Sequence, residues 1–133
     1  MDNRFGRAWV TLALALALHV ADEAANDFLA VYNPAVRAVR DRFPLLPLPT
    51  FTFPVWLAGL IVAVMILLAL SPLAFRGVRW LRVFSVPYGV LMLLNGFGHI
   101  GSSIYFGRLM PGVYSAPLLL AASAYLLFSA KSA

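Results

Sequence analysis

Residues 54–75 read Pro54-Val-Trp56-Leu-Ala-Gly59-Leu-Ile-Val-Ala63-Val-Met65-Ile-Leu-Leu-Ala-Leu-Ser71-Pro72-Leu-Ala-Phe75, a run without one charged side chain. Crossing a bilayer takes about 20 mostly apolar residues in a helix, because backbone amides in lipid must be satisfied within the segment. This run meets that requirement. Three others do so with interruptions: 8–31, 80–106 and 112–128. The chain is 133 residues long, 62% hydrophobic and only 11% charged, where soluble domains run to about 45–50% and 25%. The expected architecture is all-α: one domain over 1–133, an integral membrane bundle of four antiparallel transmembrane helices at 8–31, 54–75, 80–106 and 112–128. Short connections after the second and third helices favour up-and-down neighbours.

The start of the chain has the outline of a signal peptide, with Arg4 and Arg7 ahead of the apolar run 8–18. Asp22, Glu23 and Asp27 stand where a cleavage region would lie, so the segment reads as a retained first helix. Asn33-Pro34 is expected to end it. Arg37, Arg40 and Arg42 then alternate with Ala and Val as in a short helix lying at the interface. Pro44, Pro47, Pro49 and Pro54 forbid a regular helix through the next stretch, whose Leu and Phe residues can cover the bundle mouth as a lid or skim the headgroups.

The net charge of +5 does not imply nucleic acid, because the nine Arg and one Lys lie between the hydrophobic segments. Basic residues mark the cytoplasmic side. Arg4, Arg7, Arg76, Arg79, Arg82 and Lys131 would share one side, and Arg37, Arg40, Arg42 and Arg108 the other. Both termini are therefore expected in the cytoplasm. The Arg preference and the Ala/Leu bias suggest a GC-rich bacterial genome, and the expected location is a bacterial plasma (inner) membrane. Cys is absent, which excludes disulfides and thiolate ligands. Trp9, Trp56 and Trp80 near helix ends have the placement of interface anchors. Pro87 and Pro117 are expected to kink their helices, and Gly89, Gly96, Gly98 and Gly101 to permit close helix packing.

Three of the five acidic residues fall between positions 22 and 27, in the stretch His19-Val-Ala-Asp22-Glu23-Ala-Ala-Asn26-Asp27. Charges in a lipid-embedded helix cost several kcal/mol and mark functional sites. At about 100° per residue, with His19 at zero, Glu23 falls near +40°, Asn26 near −20°, Asp22 near −60° and Asp27 near +80°. The third helix repeats the pattern: from Asn95, His99 falls near +40°, Ser102 near −20° and Tyr88 near +20°. Each helix thus carries one polar stripe, and at ~1.5 Å per residue both stripes lie in the outer half of the membrane, in one layer.

His with a carboxylate one turn away offers two ligands on one face. His19, Glu23 and His99 form a ligand set suited to one zinc or iron ion, with a position open for water. Asp22, Asp27 and Asn95 are candidates for supporting roles, Asn95 by orienting His99. Without a metal, Glu23 with Asp22, Asn95 and Asp27 could perform acid–base chemistry. The resulting functional reading is a metal-dependent or acid–base membrane enzyme acting on a hydrophobic or lipid-like small molecule. A homo-oligomer is compatible with it, and membrane lipids are its surroundings. An ion or proton conductor built from the same residues is the alternative, and so is a structural or partner-binding subunit whose polar cluster pins helices together. The apolar half-helix Leu12–Leu18 favours a one-sided pocket over a pore.

These motifs resemble those of the HXXEE family of small membrane proteins, marked by His-x-x-Glu-Glu, a later Asn-x-x-x-His and a Tyr-x-Pro-Gly. Here they read His19-Val-Ala-Asp22-Glu23, Asn95-Gly-Phe-Gly-His99 and Leu109-Met110-Pro111-Gly112. Asp replaces the first Glu and keeps a carboxylate; Leu replaces the Tyr. The resemblance implies a membrane location and a shared site, and carries no established biochemical activity.

Overall fold

The structure, a computed structural model, describes residues 3–131. Their regular elements are all helices, with no strand among the described residues: α1 Arg4–Ala25, α2 Leu29–Arg42, α3 Phe53–Ala69, α4 Ser71–Phe75, α5 Arg79–Phe106 and α6 Ala116–Lys131. Three helical stretches are long and apolar enough to cross a membrane: Arg4–Ala25, Phe53–Phe75 and Arg79–Phe106. The expected fourth span, 112–128, differs. α6 starts at Ala116 and has 16 residues, about 24 Å at 1.5 Å per residue, against ~30 Å of hydrocarbon. The residues before it, 111–115, are used in turns. Pro117 accordingly sits in the first turn of α6, where no backbone donor is needed, and has no interior bond to break. α5 runs on as one helix through Pro87.

The first helix is shorter than expected. It stops at Ala25, because Phe28 N–H reaches back to the Glu23 carbonyl and Asp27 takes a left-handed φ of 59°. This is a Schellman-type stop with Asp at the position usually held by Gly. α5 ends the same way, with Gly107 at φ 62° and Arg108 N–H bonded to the Ser103 carbonyl. The chain restarts at Leu29, so Pro34 lies inside α2, not at the end of α1. α2 turns Leu29 and Val36 inward and leaves Arg37, Arg40 and Arg42 exposed. The following Pro-rich strap is fastened to α2: Asn33 donates to the Phe51 carbonyl (2.8 Å) and accepts from Phe51 N–H (3.0 Å), and Tyr32 donates to the Pro49 carbonyl.

Long-range contacts fix the directions. Trp9 of α1 meets Leu67 of α3, and Phe28 meets Trp56, so α1 and α3 are antiparallel. Trp9 also packs on Phe84 and Tyr88, and His19 on His99, so α1 and α5 are parallel. Ser115 meets Asp22 while Arg82 reaches the Ser129 carbonyl, so α6 returns antiparallel to both. α1 and α6 form the middle of the bundle; α3 leans on α1, and α5 on α6.

Trp9 is no interface anchor. It is fully buried and donates its indole N–H to the Leu67 carbonyl at 2.7 Å, one of the last carbonyls of α3, which lack partners within the helix. Trp56 is buried too; only Trp80 is exposed. Of the α5 glycines, Gly89 and Gly96 lie tight against Leu127 and Leu120 of α6, whereas Gly98 and Gly101 face open space. The outward faces of α3 and α5 are aliphatic, with Ile61, Val62, Met65, Leu91 and Leu94 all exposed. Such faces suit lipid.

Candidate functional site

Two histidines and one carboxylate converge near the α2 end of the bundle. His19 and Glu23 lie one turn apart on α1, and His99 reaches in from α5. His19 is 0%, Glu23 5% and His99 9% exposed. Glu23 Oε1 stands 3.1 Å from His99 Nε2 and 3.5 Å from His19 Nε2. The rings meet edge to face, their centres 4.6 Å apart. One ligand atom from each of the three residues lies within 4.8 Å of the others.

The far sides of the rings determine what the near sides offer. His99 Nδ1 is 2.6 Å from the Pro111 carbonyl oxygen. A carbonyl accepts only, so Nδ1 carries the hydrogen, and in the neutral ring Nε2 presents a lone pair. His19 Nδ1 is 2.8 Å from Ser115 Oγ. The Ser115 hydroxyl hydrogen goes to Asp22 Oδ2, 2.7 Å away, so His19 Nδ1 donates and its Nε2 is also a lone pair. That Nε2 has no hydrogen-bond partner. With both rings neutral and Glu23 ionised, two nitrogen lone pairs and a carboxylate oxygen therefore face one another without a hydrogen among them. Such an arrangement calls for a cation at its centre, a proton or a metal.

The turn before α6 does much of the positioning. Ser103 accepts from Met110 N–H at 3.0 Å and so brings Pro111 up to His99. Gly112, at φ 87°, lies directly under both rings. A Cβ there would stand 2.6 Å from His99 Cε1 and Nδ1 and 3.0 Å from His19 Cε1. Ser115 gives Asp22 its backbone N–H as well, at 2.9 Å. Asp22 thereby supports His19 through Ser115.

Asp22, Glu23, His19 and His99 are thus brought together. Asn95 is half-buried beside them, and its amide has no hydrogen-bond partner among the described residues; Pro111, not Asn95, engages His99 Nδ1. Asp27 is exposed in the turn after α1 and outside the cluster, where it serves the helix stop. Asn26 is also exposed and bonds back to Asp22. Pro111, Gly112 and Ser115 were not among the residues singled out by spacing. Their roles rest on a carbonyl, a missing Cβ and a turn. Only the resemblance of 109–112 to a motif pointed there.

Two cavities meet at the cluster. An apolar cleft of about 400 Å³ opens between α3 and α5, with α1 behind it. Ala63, Leu67, Leu70 and Phe84 line it, and His19, Glu23 and Asn95 close its α2 end. A second pocket of about 340 Å³ lies on the other side, against His99, Ser102, Phe28 and Pro111. Asn95 borders both.

The model of a family described as "Protein of unknown function with HXXEE motif" matches residues 10–126. No curated protein and no solved structure matches the chain.

Proposed function

The chain belongs to the HXXEE family, and from the geometry of its His/Glu cluster we propose that this small membrane protein holds one zinc or iron ion on His19, His99 and Glu23 and acts as an enzyme on a lipophilic substrate. The observation that carries this reading is the orientation of the rings: Pro111 and Ser115 take both Nδ1–H groups, which turns both Nε2 lone pairs toward Glu23. Two ligand atoms about 2.0–2.1 Å from zinc at the tetrahedral angle stand about 3.3 Å apart. The separations from Glu23 Oε1, 3.1 and 3.5 Å, bracket that value. Two His and one carboxylate are the ligands of catalytic zinc and of non-haem iron sites with open positions. Partners on the far nitrogens are what ligating histidines require. Asp22 belongs to this support; Asn95 is placed to meet a substrate.

In this reading α6 is the fourth membrane helix, both termini face the cytoplasm of a bacterium, and the cluster lies toward the opposite surface. The conductor reading has less support. Beyond His19, the other half of α1 buries Leu12, Ala13 and Leu16 and offers no polar path.

The test is the metal content of detergent-purified protein by mass spectrometry, wild type beside His19→Ala and His99→Ala. Near-stoichiometric zinc or iron, lost in both variants with helicity retained, is the expected result. No metal in wild type, even after reloading with either ion, would overturn the metal centre and leave the cluster as a device for pairing α1 with α5.

A further inference from the structure

The apolar cleft runs in a definite direction. It is closed at the α2 end by His19, Glu23 and Asn95, and passes Ala63 and Leu67 to reach Leu70 and Phe84. The stretch of α5 from Asn95 to Phe84 covers about 16 Å of helix. His19, Glu23 and Asn95 are together at one end; the rest of the wall is aliphatic or aromatic, with the Tyr88 hydroxyl, unpartnered among the described residues, its one other polar group. Glu23 lies in the last turn of α1, so the polar end faces the α2 side of the membrane, and the apolar end runs inward past the midplane to the level of Trp9, which packs on Phe84. A lipid in a leaflet has the same polarity, head at the surface and chain inward.

We propose that the substrate is a single-chain amphiphile, such as a fatty acyl or prenyl derivative, that lays its chain in the cleft between α3 and α5 and places a small oxygen-bearing head between Asn95 and the His19–Glu23–His99 cluster. This rests on the metal-centre reading for the chemistry at the head, though not for the place of the chain. The cleft is one groove of about 400 Å³, within the ~300–1,000 Å³ of small-molecule sites. Bilayer chains are as apolar as the cleft wall, so burying the chain supplies little affinity. Selectivity must then come from the head. Asn95 is the group equipped for that: its amide offers both donors and an acceptor, has no partner among the described residues, and borders the cleft and the second pocket. The second pocket, with Ser102 and His99 on its wall, leaves room for the polar part of the head or for water.

The experiment uses the full chain in phosphatidylcholine nanodiscs, loaded with zinc, and a long-chain hydroxamic acid carrying a diazirine at the chain terminus. Hydroxamate is a zinc-binding head, so the probe should enter head first. After irradiation, labels should map to the far end of the cleft, around Leu70 and Phe84. Ala63→Phe, which plugs the groove midway, should cut that labelling roughly tenfold while zinc uptake is unchanged, the loss expected when a bulky side chain must be displaced. Ala63→Met is the second, milder plug should the first variant misfold. Labels spread over the lipid-facing Ile61, Val62 and Met65, indifferent to either plug in zinc-loaded protein, would overturn the proposal. Labelling of the cleft by protein that takes up no zinc would support the chain assignment and overturn the metal centre instead.

Discussion

The carbonyl oxygen of Pro111 lies 2.6 Å from Nδ1 of His99, across a turn that also brings Gly112 beneath the ring. One backbone group thus decides which nitrogen of His99 faces Glu23. Ser115, in the same turn, does the same for His19. The cluster on α1 and α5 is therefore set by the short segment that leads into α6.

Ser115→Ala should weaken zinc binding by about 10–100-fold, the usual effect of losing a hydrogen-bond partner behind a ligating histidine. Asp22→Asn should act in the same direction, because Asp22 receives the Ser115 hydroxyl at 2.7 Å. Asp22→Glu, which restores the residue of the family motif, keeps the carboxylate and should retain most of the affinity. Competition titration against a chelator of known affinity reads all three; wild-type affinity in Ser115→Ala would sink the idea that the turn selects the ring orientation.

Gly112→Ala should be the most damaging single methyl group in the turn. The backbone is at φ 87°, and the added carbon would press on both rings. Strain at such a backbone position costs about 1–3 kcal/mol for a residue with a Cβ, before the rings move. The expected outcome is a lowered melting temperature in detergent together with loss of metal. A variant that melts lower but binds zinc normally would mean that the rings can give way without cost.

Trp9→Phe separates stability from the site. The indole N–H satisfies the Leu67 carbonyl at 2.7 Å in a fully buried position. Its removal should cost about 1–3 kcal/mol, the penalty for a buried acceptor left unmade. Trp9 lies about 15 Å along α1 from His19, so zinc affinity should be unchanged. A chelator titration and a melt on the same sample check both halves.

Asn33→Ala should free the Pro-rich strap. Asn33 makes two hydrogen bonds to Phe51 at 2.8 and 3.0 Å, each worth about 1 kcal/mol net. The variant should be cut faster by protease between residues 43 and 52, with metal content intact. Cutting at the wild-type rate would place the hold on the strap elsewhere, in the stacking of Phe51 on Tyr32.

His19, Glu23 and His99 were legible because each is a polar interruption in an apolar helix, and helical spacing with depth places them in one layer. Asp22 was legible as a carboxylate in that stripe, though not as the partner of a serine 93 positions away. The end of α1 was misplaced because Asn26 and Asp27 continue the polar stripe on a helical wheel. Nothing in a periodicity separates a stripe from a cap, and the left-handed φ of Asp27 appears only in the structure. Trp9 was misplaced for a related reason. A Trp near a helix start suits the interface, yet here the break between α3 and α4, next to Pro72, leaves a carbonyl for it to satisfy. The length of α6 could not be read from composition, because Val113–Ser115 are as compatible with a membrane helix as with the turn they form.

The separation of Asp22 from Ser115 has a consequence for biosynthesis. At about 5–20 residues per second, the 93 positions between them take roughly 5–20 s to translate. Throughout that interval Asp22, Glu23 and His19 lack the turn that completes them. Until residue 115 is added, Asp22 has neither the hydroxyl nor the backbone N–H that it receives in the folded protein. A chain stopped before Ser115 would keep an α1 long and apolar enough to cross a membrane but would leave Asp22 without both hydrogen bonds from Ser115, a ready target for membrane quality control.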